Sequence, residues 1–145
     1  MMSLPRLLLF LASGFLLSSL LLACPAPVAE PFGPCRAADG DVYEFNSAEV
    51  NGDTLTANLS FSGGCEQHEF TLCWPDQQFG ETDDGQTQVT LEIFHDANDD
   101  SCEAYLTEDV DLDLADLEVA YIGAFGPGPG SMVILLGGEI LDFSF

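Results

Sequence analysis

Two short clusters, each holding one cysteine, one histidine and several acids, constrain this chain more than any other feature. The first is Ser-Gly-Gly-Cys-Glu-Gln-His-Glu-Phe at residues 62–70, and the second is His-Asp-Ala-Asn-Asp-Asp-Ser-Cys-Glu-Ala at residues 95–104. They contain both histidines of the chain and two of its five cysteines. A bond between Cys65 and Cys102 would hold the clusters side by side, and any fold of the chain would have to allow that contact.

The N-terminus has the organisation of a secretory signal. A short start with the positive charge of Arg6 precedes an apolar run from Leu7 to Leu22, and the small residue Ala23 follows. The run falls just short of the roughly 20 apolar residues that a membrane-spanning helix needs. We therefore expect residues 1–23 to be a signal peptide that is removed on export.

The end of this run indicates lipidation. Leu21-Leu22-Ala23-Cys24 resembles the lipobox of bacterial lipoproteins, in which the peptide is cut before the cysteine and that cysteine carries the lipid. By this resemblance Cys24 is the lipidated first residue and attaches the protein to a membrane. Pro25, and not aspartate, follows Cys24, which favours the outer membrane, facing the periplasm or the cell surface.

Residues 24–34 are predicted to form a lipidated, proline-rich tether. Four prolines fall in this segment, and proline fixes φ and lacks a backbone donor, so the segment favours an extended spacer. The folded domain is then expected at residues 35–145.

The charge of the chain excludes nucleic acid as a partner. All 25 acids follow the signal peptide and only Arg36 remains to oppose them, which gives a charge of −24, and no lysine is present. Such a charge repels phosphate backbones and offers no electrostatic grip on anionic lipid. The acidity is typical of a solvated surface in a salty medium, although a dedicated cation-binding surface would look the same.

The four cysteines beyond Cys24 predict disulfides, because an even count in an exported chain favours them. Three connectivities exist, and we favour Cys65–Cys102 together with Cys35–Cys73. Ligation of zinc by these cysteines is the alternative, but the tight C-x-x-C spacing of such sites is absent.

The body of the chain is dominated by period-two alternation, the pattern of half-buried β-strands. Apolar residues at positions 55, 57, 59 and 61 alternate with polar residues, and the turn signal Asn51-Gly52-Asp53 makes Val42–Val50 the hairpin partner of this strand. A short helix could form at Leu114–Leu117, but no segment shows a convincing helical period. Further extended segments are predicted at His68–Trp74, at Val89–Ile93 with His95 continuing inwards, at Ala104–Thr107, at Val110–Leu114, at Glu118–Ile122, and in a closing hairpin of Met132–Leu136 and Glu139–Phe145.

These segments predict an all-β domain, an antiparallel β-sandwich of immunoglobulin-like type with about seven to nine strands. Because no phosphate loop, nucleophile elbow, H-E-x-x-H or C-x-x-C motif is present, we do not expect an enzyme.

A metal site is the sharpest chemical hypothesis. His68 and His95, completed by Asp96 or Glu103, would offer two imidazoles and a carboxylate, which suit zinc or copper. The alternative is that the two histidines form local hydrogen bonds and brace the bridge between the clusters. Either reading places both histidines near a Cys65–Cys102 bond.

Calcium is a second candidate ligand. Asp96, Asn98 and Asp100 alternate like the start of a calcium loop, but Ser101 and Thr107 stand where an EF-hand needs glycine and a bidentate acid. We therefore expect this segment to be either a calcium-binding turn of another type or a solvated acidic turn. No other cofactor is expected.

Two aromatic residues are candidates for binding a partner. Trp74 and the Gly/Pro-rich loop around Phe125 could bind a protein or glycan partner, or they could cap the core of the sandwich.

The two clusters together resemble a group of exported bacterial lipoproteins, some described as NigD-like. The resemblance covers about residues 50–120 and rests on Gly-Gly-Cys65-x-x-His68-x-Phe70 and His95-Asp96-x-Asn98-x-Asp100-x-Cys102-Glu103-Ala. It implies an envelope lipoprotein and little about activity. We therefore expect a lipid-anchored protein with a binding or structural role, or, as the alternative, a metal-binding envelope protein using His68 and His95.

Overall fold

The computed structural model describes residues 40–145. The predicted signal peptide, the lipidation of Cys24, the proline-rich tether and Cys35 lie outside the described residues. Among residues 40–145, no helix combines the length and apolar character that crossing a membrane would require.

Residues 40–145 form nine strands and one helix, which confirms the prediction of an all-β, sandwich-like domain. The strands make three sheets, ordered β1-β2-β7, β3-β6 and β4-β5-β8-β9. All pairs are antiparallel except β5 with β8. The bounds are β1 Tyr43–Asn51, β2 Thr54–Gly63, β3 Glu69–Cys73, β4 Gly80–Glu81, β5 Thr87–Thr90, β6 Glu92–Asp96, β7 Ala104–Asp113, α1 Ala115–Phe125, β8 Ser131–Leu136 and β9 Glu139–Ser144.

The first hairpin, β1 with β2, follows its predicted pattern. Gly52 sits in the turn with φ of +59°, a conformation that glycine adopts without steric cost. Strand β2 runs through the centre of its sheet, and its four alternating apolar side chains are all buried. Burial of one face is what the period-two pattern predicted. These side chains are Leu55, Ala57, Leu59 and Phe61.

The other sheets supply the rest of one continuous core. Val89, Leu91 and Ile93 are buried along β5 and β6, and His95 continues their inward parity as predicted. The closing hairpin of β8 and β9 contributes Met132, Ile134, Leu136 and Phe143 to the same cluster. Apolar side chains from every layer therefore meet in a single interior.

The helix α1 corrects the sequence prediction. We expected at most a short helix at Leu114–Leu117 and a strand at Glu118–Ile122, and the second expectation is wrong. Leu117, Val119 and Tyr121 alternate in sequence like a strand, but Val119 is 63% exposed. The side chain of Asp113 accepts the amide of Ala115 at 2.8 Å, which satisfies an amide at the start of the helix.

Two acids in the first turn also favour this helix, because carboxylates stabilise the positive end of the helix dipole. Leu117 is the buried residue of α1 and is fully enclosed, so it attaches the helix to the core. The helix ends at Phe125, where the amide of Gly126 closes the last turn on the carbonyl of Ile122 at 2.9 Å.

Replacing Leu117 with alanine should test this attachment. We expect Leu117→Ala to lower the free energy of unfolding by about 2–5 kcal/mol, because it opens a cavity in the core. Val119→Ala on the same helix should change it by less than about 0.5 kcal/mol, because that side chain faces solvent. Urea unfolding followed by circular dichroism measures both variants, and equal losses would contradict the docking of the helix through Leu117.

Candidate functional site

Two connections cross between the same pair of sheets, and the two sequence clusters lie on them. Strand β2 leads from the three-stranded sheet to β3 in the two-stranded sheet, and β6 leads back from that sheet to β7. Because β2 pairs with β7 and β3 pairs with β6, the two connections run side by side. The contact between the clusters that the sequence predicted is therefore a consequence of the strand order.

The predicted bond between Cys65 and Cys102 is present and ties these connections together. Their Cα atoms are 5.9 Å apart and 37 residues separate them in sequence. In the chain-entropy account, closing a loop of this length stabilises the fold by about 4 kcal/mol. For one small domain that is a large part of the net stability.

The second predicted bond, Cys35–Cys73, stays a prediction. Cys73 is buried and bonded to no other cysteine of residues 40–145, and Cys35 lies outside the described residues. Cys73 pairs in register with Glu92, three residues along β6 from His95. The amide of Asp41 donates to the carbonyl of His95 at 2.8 Å, so the described chain begins near the strand pair that carries Cys73.

Asp100 is the centre of the contact between the clusters. Its Oδ2 atom accepts the amides of Gly64, Cys65 and Glu66 at 2.8, 2.9 and 3.0 Å, and its Oδ1 atom accepts the amide of Cys102 at 2.8 Å. The side chain is fully shielded from solvent. One carboxylate thus fixes the backbone of both connections.

These contacts also set the protonation state of Asp100. The amides, with that of Glu66 contributing most, followed by those of Cys102 and Cys65, hold the pKa of the carboxyl well below its usual range. Hydrogen bonds to the charged form favour that form. The side chain is therefore a carboxylate, an acceptor with both oxygens in use.

His68 connects Asp100 to His95. Its Nε2 atom lies 3.2 Å from Oδ2 of Asp100, and its Nδ1 atom lies 2.8 Å from Nε2 of His95. The side chain of His68 is 4% exposed. We call these three residues the Asp100–His68–His95 array.

Gly63 leaves the space that this array occupies. A Cβ atom at this position would collide with the imidazole of His68 and lie 3.0 Å from Oδ2 of Asp100. The first glycine of the Gly-Gly pair is therefore required by close approach of a side chain.

His95 forms the inner end of the array. It is 1% exposed, and its ring stacks on Phe70 with centroids 4.4 Å apart and an interplanar angle of 5°. Burial, and next the neighbouring imidazole of His68, lower its pKa, so the neutral form is favoured. Backbone hydrogen bonds of the ring with Asp41 and Val42 act in the opposite direction and raise the pKa, but they do not outweigh burial.

The hydrogen-bond directions of the array follow from the charge on Asp100. Because a carboxylate only accepts, Nε2 of His68 donates to it. When His68 is neutral, its Nδ1 atom accepts, and Nε2 of His95 is then the donor.

The structure brings together two of the four predicted metal ligands. His68 and His95 are in contact, but Asp96 accepts the amide of Asn98 in its own turn and Glu103 is exposed. Within residues 40–145, the one group of three close metal-ligating side chains comprises Asp100 and the two cysteines of the disulfide. Bonded cysteines offer no thiolate, so this group is not a zinc site.

The contact between the histidines is itself a hydrogen bond. A tetrahedral zinc ion about 2.0–2.1 Å from each nitrogen would hold the two nitrogens roughly 3.3 Å apart. The observed separation of 2.8 Å suits a shared proton. This arrangement matches the reading in which the histidines brace the bridge.

In the acidic turn that could have bound calcium, the three candidate side chains form hydrogen bonds with other groups of the protein. Asp96 accepts the amide of Asn98 at 2.8 Å, Asn98 donates its side-chain amide to the carbonyl of Gln67 at 2.6 Å, and Asp100 holds the first cluster. Asp100 was not predicted as the partner of His68. No signal in the sequence separated it from the neighbouring acids at positions 96, 99 and 103.

The two aromatic candidates differ in exposure. Trp74 is 4% exposed and packs against Phe79, as the core-capping interpretation predicts. Phe125 is 55% exposed, and its ring contacts the rings of Phe79 and Tyr121.

Comparison of the chain with protein-family models, with curated proteins and with solved structures finds no match.

The array predicts how stability depends on pH. The pKa of His95 is lower in the folded chain than in the unfolded chain, so its contribution is complete above the unfolded value of about 6.5. That contribution is lost as the pH falls, with a slope of at most about 1.4 kcal/mol per pH unit for one proton. The lowered pKa of Asp100 adds a second loss below about pH 4.

His95→Phe removes the first of these losses and keeps a ring against Phe70. We expect its free energy of unfolding to change less than that of the wild type between pH 7 and pH 5, whatever its absolute value. Both proteins should weaken together below pH 4. Urea unfolding at a series of pH values measures the slopes, and parallel curves between pH 7 and pH 5 would contradict the role given to His95.

Proposed function

We propose that this protein is a lipid-anchored component of the bacterial cell envelope with a binding or structural role and no catalytic activity. The observation that carries the proposal is Leu21-Leu22-Ala23-Cys24 at the end of an apolar run of signal-peptide length. In this proposal Cys24 carries the lipid and residues 24–34 hold the domain away from the membrane. Pro25 stands where many lipoproteins that stay at the inner membrane have an aspartate, which favours the outer membrane.

The described domain supports export. The bond between Cys65 and Cys102 belongs in an oxidising compartment, because cytosolic reductants keep thiols reduced. The buried array depends on the same two connections that this bond joins. A domain built in this way is suited to the envelope.

The acidity of the chain supports anchoring through lipid and not through charge. With 25 acids and no lysine, the domain gains nothing from the anionic surface of a bilayer. Stable attachment of such a domain takes more than one acyl chain. A lipidated N-terminal cysteine supplies that attachment in the lipoproteins that the motif resembles.

The anchoring has a direct test in a bacterial host that processes lipoproteins. We expect the full chain to incorporate radiolabelled palmitate and to fractionate with the outer membrane, while Cys24→Ala should lose both the label and the membrane association. Cys73→Ala serves as the matched control, because it removes a buried cysteine that the proposal does not lipidate. Label in the Cys24→Ala variant, or no label in the wild type, would refute the proposal.

One observation favours a second candidate, a metal-binding envelope protein. His68 and His95 lie in contact, as that hypothesis requires, although the predicted carboxylates do not join them. Titration with Zn²⁺ and Cu²⁺ of the wild type, His68→Ala and His95→Ala separates the two candidates. Loss of stability without any change in metal uptake would leave the histidines as braces.

A further inference from the structure

The two bonded cysteines are held side by side by contacts other than the S–S bond. The carboxylate of Asp100 accepts the amide of Cys65 at 2.9 Å and the amide of Cys102 at 2.8 Å. The pairing of β2 with β7 continues up to Gly63 and Ala104, each of which stands two residues from one of the cysteines. Breaking the S–S bond would therefore leave the two side chains next to each other.

A third ligating group lies beside the two sulfur atoms. Both sulfurs and a carboxylate oxygen of Asp100 lie within 4.8 Å of one another. The Oδ1 atom of Asp100 accepts the amide of Cys102, and a carboxylate oxygen has the lone pairs to take a second partner. In the oxidised protein the sulfurs offer no thiolate, but reduction would supply two thiolates, which favour soft metal ions such as zinc.

The spacing of the backbone is compatible with a metal ion between the sulfurs. Zinc binds thiolate sulfur at about 2.3 Å in tetrahedral geometry, so two such sulfurs lie roughly 3.8 Å apart. The Cα atoms of Cys65 and Cys102 are 5.9 Å apart. Rotation about the Cα–Cβ bonds brings the sulfurs to the required separation with the backbone in place. The amide contacts of Asp100 can therefore persist when the metal is bound.

The surroundings of the cysteine pair favour both a reductant and a cation. Cys65 is exposed, so the thiol of another molecule can reach its sulfur. Glu66 and Glu103, which directly follow the two cysteines, are exposed acids, and residues 40–145 contain neither lysine nor arginine. Two thiolates beside Asp100 would have no basic side chain to balance them, so a bound divalent cation supplies the positive charge that stabilises them.

We propose that reduction of the Cys65–Cys102 bond creates a site for one divalent cation that prefers sulfur, such as Zn²⁺. The thiolates of Cys65 and Cys102 and the carboxylate of Asp100 are the protein ligands, and a water molecule completes the tetrahedron from the exposed side. The oxidised chain does not bind the cation in this way. The site differs from the two-histidine candidate and goes beyond the envelope role proposed above, because it makes metal binding depend on the redox state.

A dithiol is the reductant in this proposal. One of its thiolates attacks the sulfur of Cys65, so the S–S bond breaks, a mixed disulfide forms and Cys102 leaves as a thiol. The second thiol of the reductant then displaces Cys65 and closes the reductant into its own disulfide. Two electrons and two protons pass to the protein, and Zn²⁺ then displaces the two protons from the thiols.

The test uses the full chain purified in detergent, with Co²⁺ as the probe and a phosphine as the reductant, because a dithiol would itself bind the metal. Thiolate ligation of Co²⁺ produces a charge-transfer absorption that oxygen ligands do not produce. We expect the reduced chain to bind one Co²⁺ with this absorption and to exchange it for Zn²⁺, while the oxidised chain shows none. Calorimetry in two buffers should find about two protons released for each Zn²⁺ bound.

Single substitutions identify the ligands. Cys65→Ser and Cys102→Ser each remove one thiolate, and each should weaken Co²⁺ binding by at least about tenfold. Cys73→Ala is the matched control, because Cys73 is buried in β3 and lies outside the ligating group. It should leave the affinity unchanged. Circular dichroism of each reduced chain without metal should show the fold that the strand pairing and Asp100 preserve.

Three results would overturn the proposal. Equal Co²⁺ affinity of the oxidised and reduced chains would show that histidines or surface carboxylates bind the metal and that no redox switch exists. Equal weakening by Cys73→Ala and Cys65→Ser, or no charge-transfer absorption in the reduced chain, would remove Cys65 and Cys102 as a specific ligand pair. Loss of the folded spectrum on reduction would show that the S–S bond alone keeps the two side chains together.

Discussion

The carboxylate of Asp100 is the interaction on which the rest of this domain depends. It accepts three consecutive amides from one connection and one from the other, and it also receives His68. These amides lie in connections, where no neighbouring strand can accept their hydrogen bonds. Without Asp100, each amide shielded from water would be unpaired, which would destabilise the folded state. A single charged group, shielded from solvent, therefore replaces the hydrogen bonds that a regular element would supply.

The disulfide and the Asp100–His68–His95 array stabilise the same two connections by different means. The bond between Cys65 and Cys102 restricts the unfolded chain, whereas Asp100 orders the folded connections and so positions His68. His68 in turn fixes His95, which packs among Phe61 and Phe70 at the edge of the core. The contacts thus run from the two connections to a buried imidazole.

Much of this architecture could be predicted from the sequence, because its causes are local. Period-two alternation set the inward residues of β2, β5 and β6, and glycine placed the turn of the first hairpin. The pairing of Cys65 with Cys102 followed from their clusters. The helix α1 was missed because Leu117, Val119 and Tyr121 alternate in sequence like a strand, and only burial of Leu117 against the core decides the matter.

The site was predictable only in part, because it depends on which acid the fold selects. Four acids of the second cluster stand within eight residues of each other, and sequence gave no reason to prefer Asp100 to Asp96 or Glu103. The choice is made by the crossing of two connections, which brings the amides of residues 64–66 to one position in that turn. Long-range geometry of this kind leaves no periodic trace in a sequence.

Amide hydrogen exchange in Asp100→Asn tests the central claim most directly. Asparagine is neutral and has one acceptor oxygen where the carboxylate has two, so it bonds the amides of residues 64–66 more weakly and cannot satisfy both connections. With the disulfide intact, we expect the amides of Gly64, Cys65 and Glu66 to lose at least about tenfold in protection, while those of the β8–β9 hairpin keep theirs. Unchanged protection at residues 64–66 would show that the disulfide alone orders the two connections and would contradict this account.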